Sequence, residues 1–201
     1  MKPLIAIAAA YLIGGIPFGY LLVRWKTGAD VRAMGSGNIG ATNVWRSTGR
    51  AIGVATLLLD ILKGFCAVWL AAWLTDHDVN WMSAAAAAVI LGHAFPAMLG
   101  FQGGKAVASF VGAFLYLAPL PLLAIVIFFV VTVAVSRYIS LGSVLGAAMF
   151  PVAVYLIQHP PLPVLLAALF GGVFIIWRHK GNIARLREGT ENVFRLKGAR
   201  A

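Results

Sequence analysis

From Ala106 to Ser136 the chain carries no charged residue, and further apolar runs recur along its length, separated by short polar segments that are mostly basic. Segments of this kind satisfy their own backbone hydrogen bonds only as helices, and lipid is the solvent that tolerates so many of them in one chain. Composition agrees: of 201 residues 61% are hydrophobic and 11% charged, with a mean hydropathy of +0.91, far from a soluble globular domain. The net charge of +10 sits in the gaps between apolar runs. That is the distribution of the positive-inside rule, and it argues against a nucleic-acid surface. The single cysteine, Cys66, lies inside an apolar run and excludes an intrachain disulfide.

Charge placement orders the runs into seven spans. The first extends from about Leu4 to Val23; its start has the look of a signal peptide, but the run continues to spanning length and stops at Arg24 and Lys26. The following segment carries Arg24, Lys26, Arg32, Arg46 and Arg50 against Asp30 alone, which marks it as cytoplasmic. A second span, about Ala51 to Leu74, ends at the acidic Asp76-His77-Asp78, and a third, about Trp81 to Leu99, returns to Gly103-Gly104-Lys105. The uncharged stretch after Lys105 is too long for one ordinary span and has Pro119 and Pro121 near its middle. Two short or tilted helices joined there keep Lys105 and Arg137 on one side. A sixth span covers about Leu141 to Ile157, a seventh about Leu162 to Trp177, and the basic tail from Arg178 faces inward. The expected fold is an all-α, polytopic membrane helix bundle of seven transmembrane helices, N-terminus outside and C-terminus cytoplasmic, forming one integral-membrane domain over 1–201 without internal repeats.

Four polar clusters then fall on the cytoplasmic side: Gly35 to Arg50, Gly92 to Lys105, Ser136 to Ser143 and Arg178 to Glu191. The first holds GSGNIGATN, where Gly35, Gly37 and Gly40 permit positive φ and Ser36, Asn38, Thr42 and Asn43 supply hydroxyls and amides. Flanked by Arg32, Arg46 and Arg50, this loop suits a phosphate. It fits G-x-G-x-x-G only in letters, because no βαβ unit surrounds it. In the second cluster, Gly103-Gly104-Lys105 precedes an apolar helix, so N–H groups, a positive helix end and an ammonium are expected to converge on one anion. A Walker A loop fails at Leu99 and Ala106. The alternative for Lys105 is an interfacial anchor, and His93 reads as a packed histidine. Ser140 and Ser143 read equally as caps of the sixth span. His179 and Asn182, three apart, share a face if the last helix continues past the membrane, and offer hydrogen bonds suited to hydroxyl groups. Asp60 and Lys63, also three apart, are expected to pair within the second span, either to support the first loop or merely to neutralise each other. Spacing supports no Ser-His-Asp set, no H-x-x-x-x-D, no H-E-x-x-H and no metal-ligand cluster.

Taken with D-x-x-K-G at Asp60 to Gly64, the segments GSGNIGATN, LGHAFPAMLGFQGGKAVAS and RHKGNIARLREGTE make the chain resemble the bacterial acyl-phosphate:glycerol-3-phosphate acyltransferases, the PlsY-type membrane enzymes, over nearly its full length. The resemblance implies transfer of a fatty acyl group from acyl phosphate to the 1-hydroxyl of glycerol 3-phosphate, giving lysophosphatidic acid, at the cytoplasmic face of the bacterial inner membrane. It implies no cofactor, no metal and no nucleic acid; the partners are acyl phosphate, glycerol 3-phosphate, membrane lipid and an upstream enzyme that forms acyl phosphate. Ser36, Arg46 and Lys105 would hold phosphate, His179 and Asn182 would position the glycerol, and the donor's own phosphate would accept the proton. The substrate-binding set is completed by Gly37, Asn38, Gly40, Asn43, Gly103, Gly104 and Ser143, with Asp60, Lys63, His93 and Glu191 in support. A transporter for a small phosphorylated solute is the competing class; it calls for midplane polar groups and repeat symmetry, whereas the polar groups here gather at one face.

Overall fold

The computed structural model describes residues 1–194, and all regular structure among them is helical. The basic end of the tail, with Arg195, Lys197 and Arg200, lies outside the described residues. The chain divides into two compact units, Met1–Tyr116 and the segment from Leu117 onward.

In the first unit, α1 (Lys2–Gly14) and α2 (Phe18–Thr27) form one apolar segment broken at Gly15-Ile16-Pro17. Pro17 has no N–H to continue the ladder, so the helix stops and restarts. Gly28, with φ of +72°, ends α2 in the left-handed conformation that glycine adopts without penalty. After the polar loop come α3 (Ala41–Thr48) and the long α4 (Arg50–Leu74). Asp78 starts α5 (Val79–Ala94) by accepting the Asn80 N–H, the usual device for satisfying an orphan helix donor. A 3-10 turn at Ala97–Leu99 and the glycine segment lead to α6 (Val107–Leu117).

The second unit contains α7 (Pro119–Ser136), α8 (Ile139–Gln158), α9 (Leu162–Arg178) and α10 (Lys180–Arg187). Pro119 and Pro161 stand at helix starts, where a missing N–H costs nothing. Gly172 of α9 lies directly against the backbone of α8 at Ala147, a spacing that a side chain on Gly172 would not permit.

Every apolar run marked off by the charge pattern is helical, and the uncharged stretch does break into two helices, at Ala118. Among the described residues five helices are long and apolar enough to cross a membrane, or six if the pair α9 and α10 counts as one bent span. Further short of that length is α6, whose 11 residues rise about 16 Å against a hydrocarbon core of about 30 Å. The chain is thus an all-helical, multi-pass membrane protein. The straight continuation expected after the last span does not occur: the chain turns by 55° at His179.

Candidate active site

The glycine-rich loop is organised around Asn43, which is 2% exposed. Its Oδ1 accepts the Ser36 N–H at 2.8 Å, and its Nδ2 donates to Asn38 O at 2.8 Å and Met34 O at 3.0 Å. Asn38 Oδ1 accepts the Gly40 N–H at 2.8 Å, and Gly37 N donates to Met34 O at 2.9 Å. Two sequence expectations are corrected here. Asn43 is committed to the loop, with both Nδ2 hydrogens and one of the two Oδ1 lone pairs taken by these bonds. The N–H groups of Ser36, Gly37 and Gly40 are likewise engaged. Gly35 and Gly37 do take positive φ, +55° and +70°, but Gly40 is extended. What the loop presents outward is the exposed Ser36, the start of α3 with its first N–H groups, and the exposed Arg46 one turn further on. Arg32 is engaged with Asp30, which it meets at 2.7 Å; this hydrogen bond, with its charge, holds the Asp30 carboxyl below its ordinary value.

Ile39 and Val44 of this loop pack with Val23, Val31 and Leu99 in one buried cluster. The structure therefore brings the base of the first loop against the 3-10 turn that precedes Gly103-Gly104-Lys105. Beyond that turn, Gly103 N donates to Ala94 O at 3.0 Å and Gly104 N to His93 O at 3.1 Å. The two N–H groups expected to bind an anion instead satisfy the last carbonyls of α5. Both glycines are required sterically, since a Cβ on Gly103 would meet the His93 carbonyl and one on Gly104 the His93 ring. Lys105, half-buried, follows at once.

Beneath this segment lies a buried polar chain. Lys63 Nζ is 2.8 Å from Asp60 Oδ1, confirming the expected pair, and also donates to Ile16 O at the α1–α2 break at 2.7 Å. His93 Nδ1 lies 3.0 Å from Ser109 Oγ and 3.7 Å from Asp60 Oδ1. Serine, histidine and aspartate are thus adjacent in space although spacing did not reveal it. They do not form a catalytic triad: that relay needs the serine and the carboxylate on opposite ring nitrogens, and here both face Nδ1, with Ser109 fully buried. Among the described residues no three His, Cys, Asp or Glu side chains are grouped to hold a metal ion.

The second unit carries its own cluster, around Glu191. One carboxylate oxygen accepts from Asn182 Nδ2 at 2.7 Å and Ser140 Oγ at 3.0 Å, the other from Arg185 Nε at 2.8 Å. Burial raises the Glu191 pKa, but these three donors and the Arg185 charge outweigh it and hold the carboxyl below its ordinary value. His179, at the bend, has Nδ1 2.8 Å from Ile175 O, which fixes Nδ1 as the protonated nitrogen. His179 and Asn182 are both buried, the first at the N-cap of α10 and the second three residues further on within it, beyond the bend. Neither serine caps α8: its N-cap is Tyr138, Ser140 serves Glu191, and Ser143 Oγ donates back to Ile139 O at 3.0 Å. Sequence reasoning did not find Ser109 or the Ile16 carbonyl, and no pattern marks either one. Glu191, expected in a supporting place from the segment RHKGNIARLREGTE, is the residue that gathers Asn182, Ser140 and Arg185.

Apolar helices with polar clusters of this kind at their ends define a helical integral-membrane protein that presents cationic and hydrogen-bonding groups at a few defined places. The family profile described as "Glycerol-3-phosphate acyltransferase" matches residues 4–199. A protein of that name from Geobacter sulfurreducens is 48% identical over 97% of this chain and 99% of its own length, and one from Geobacter metallireducens is 49% identical over 96% and 97%. The crystal structure of PlsY (YgiH), an integral membrane glycerol 3-phosphate acyltransferase, in its glycerol 3-phosphate form is similar with a TM-score of 0.92 and 35% identity, covering 97% of this chain and 96% of that one. Its lysophosphatidic acid form is similar with a TM-score of 0.89. The chain belongs to the glycerol-3-phosphate acyltransferase family.

Proposed function

We propose that this chain transfers a fatty acyl group from acyl phosphate to the 1-hydroxyl of sn-glycerol 3-phosphate, releasing phosphate and lysophosphatidic acid in the first acylation of phospholipid synthesis. The observation that carries this reading is full-length similarity to an enzyme solved with glycerol 3-phosphate and with lysophosphatidic acid. In the reaction the 1-hydroxyl oxygen attacks the acyl carbonyl carbon, the bond from that carbon to the phosphate oxygen breaks, and the departing phosphate takes the hydroxyl proton. No protein nucleophile is needed, because the mixed anhydride is already activated. Alignment and an anion cradle do the work, and alignment alone supplies roughly 7 kcal/mol or more.

Ser36, Arg46 and Lys105 hold phosphate groups, with the start of α3 adding its N–H groups and dipole. His179 and Asn182 orient the glycerol hydroxyls, Asn182 being held by Glu191. Gly37, Asn38, Gly40 and Asn43 keep the loop in shape, and Gly103 and Gly104 admit the close backbone packing beside Lys105; neither group needs to touch substrate. In this reading the chain spans the bacterial inner membrane seven times, α6 included, with the N-terminus outside and its polar clusters facing the cytoplasm, where an acyl-phosphate-forming enzyme supplies the donor. Purified protein incubated with acyl phosphate and labelled glycerol 3-phosphate tests it. Labelled lysophosphatidic acid is the expected product; uptake of label into vesicles without any acylated product moves the chain to the transporter class.

A further inference from the structure

His93 is 4% exposed and lies in the last turn of α5, yet it attaches to the Lys105 segment at three points. Its carbonyl accepts the Gly104 N–H at 3.1 Å, its ring packs so close to Gly104 that a Cβ there would meet Nε2, and its Nδ1 meets Ser109 Oγ, in the first turn of α6, at 3.0 Å. These attachments bracket Lys105 on both sides. Between them Ala106 is held at a φ of +62°, a conformation that a non-glycine residue keeps only when its surroundings over-determine it. From His93 the chain of contacts continues through the buried Asp60 and Lys63 to the Ile16 carbonyl.

We propose that His93 is the positioning residue for Lys105, fixing the direction in which that ammonium leaves the backbone through the paired contacts with Gly104 and Ser109. A histidine that merely fills space does not need a polar contact to the helix on the far side of the lysine. The inference rests on the reading of Lys105 as a phosphate ligand, and one experiment separates the two. We would measure kcat and KM for glycerol 3-phosphate in the wild type, His93→Asn, Lys105→Ala and the double variant, after confirming that each elutes as folded protein. If His93 acts through Lys105, His93→Asn lowers kcat/KM about tenfold in the wild-type background but less than about threefold when Lys105 is already gone. An equal loss in both backgrounds overturns the proposal. Near-normal kcat/KM for Lys105→Ala overturns the phosphate role of Lys105 instead. Where His93→Asn does not fold, Ser109→Ala takes its place in the same cycle, with a smaller loss that must likewise vanish without Lys105.

Discussion

Asp60 and Lys63 sit where an unpaired charge is costly, so they respond differently to mutation singly and together. Among the described residues, Asp60→Ala leaves the buried ammonium the Ile16 carbonyl and the face of Phe18, and a loss of about 3–5 kcal/mol is expected. Asp60→Leu with Lys63→Met removes both charges and should recover most of that stability in thermal denaturation of the detergent-solubilised protein. Their pairing was legible from the three-residue spacing within an apolar run. The bond from Lys63 to Ile16 was not, because nothing in a sequence relates residues 47 apart. At Glu191 the sign of the pH effect follows from its lowered pKa. A carboxylate held below its unfolded value contributes stability that is complete above that value and is lost as pH falls through the folded one. The melting-temperature gap between wild type and Glu191→Gln should therefore narrow on acidification below the ordinary carboxylate range. A gap that is constant with pH would mean that the ionised form makes no difference.

At the scale of elements, close backbone approach decides where the first loop stands. A Cβ on Gly19 of α2 would meet the Ile39 carbonyl and come 3.1 Å from Thr56 Cγ2 of α4. Gly19→Ala is accommodated only if the backbone at Ile39 shifts against its buried neighbours, and that shift displaces Ser36 and Arg46 together. A shift of up to about 1 Å is expected to lower kcat/KM by about tenfold to a hundredfold, checked against an unchanged circular dichroism spectrum. The break of α1 at Pro17 and the helix break near Pro119 are written in the sequence as prolines. The bend at His179 is not, since neither proline nor glycine occupies that position. The glycines of the second cluster were misjudged for a related reason. An N–H that binds an anion and one that closes a helix end look identical in a string of letters, and only the path of α5 distinguishes them.

For the whole molecule, charge placement outlined the apolar elements almost to the residue: α4 begins one residue before its expected start and ends where expected, and α8 extends the expected range by two residues at its start and one at its end. The 11 residues of α6 agree with the expectation of two short or tilted helices, and a helix shorter than a membrane is thick makes sidedness the point to test. In a Cys66→Ala background, cysteines at Thr48 and Gln102 should be protected from an impermeant reagent in intact cells, and one at Asp78 should react. Labelling of Gln102 from outside would overturn the seven-span arrangement. The central claim concerns the donor, since it explains both the phosphate-suited loop and the lack of a nucleophile among the polar residues. Its most direct test compares acyl phosphate with acyl-CoA at equal concentration, using purified protein, labelled glycerol 3-phosphate and a chelator throughout. The account predicts lysophosphatidic acid from acyl phosphate with the chelator present, and little or none from acyl-CoA. Comparable product from acyl-CoA, or dependence on added metal, would contradict it.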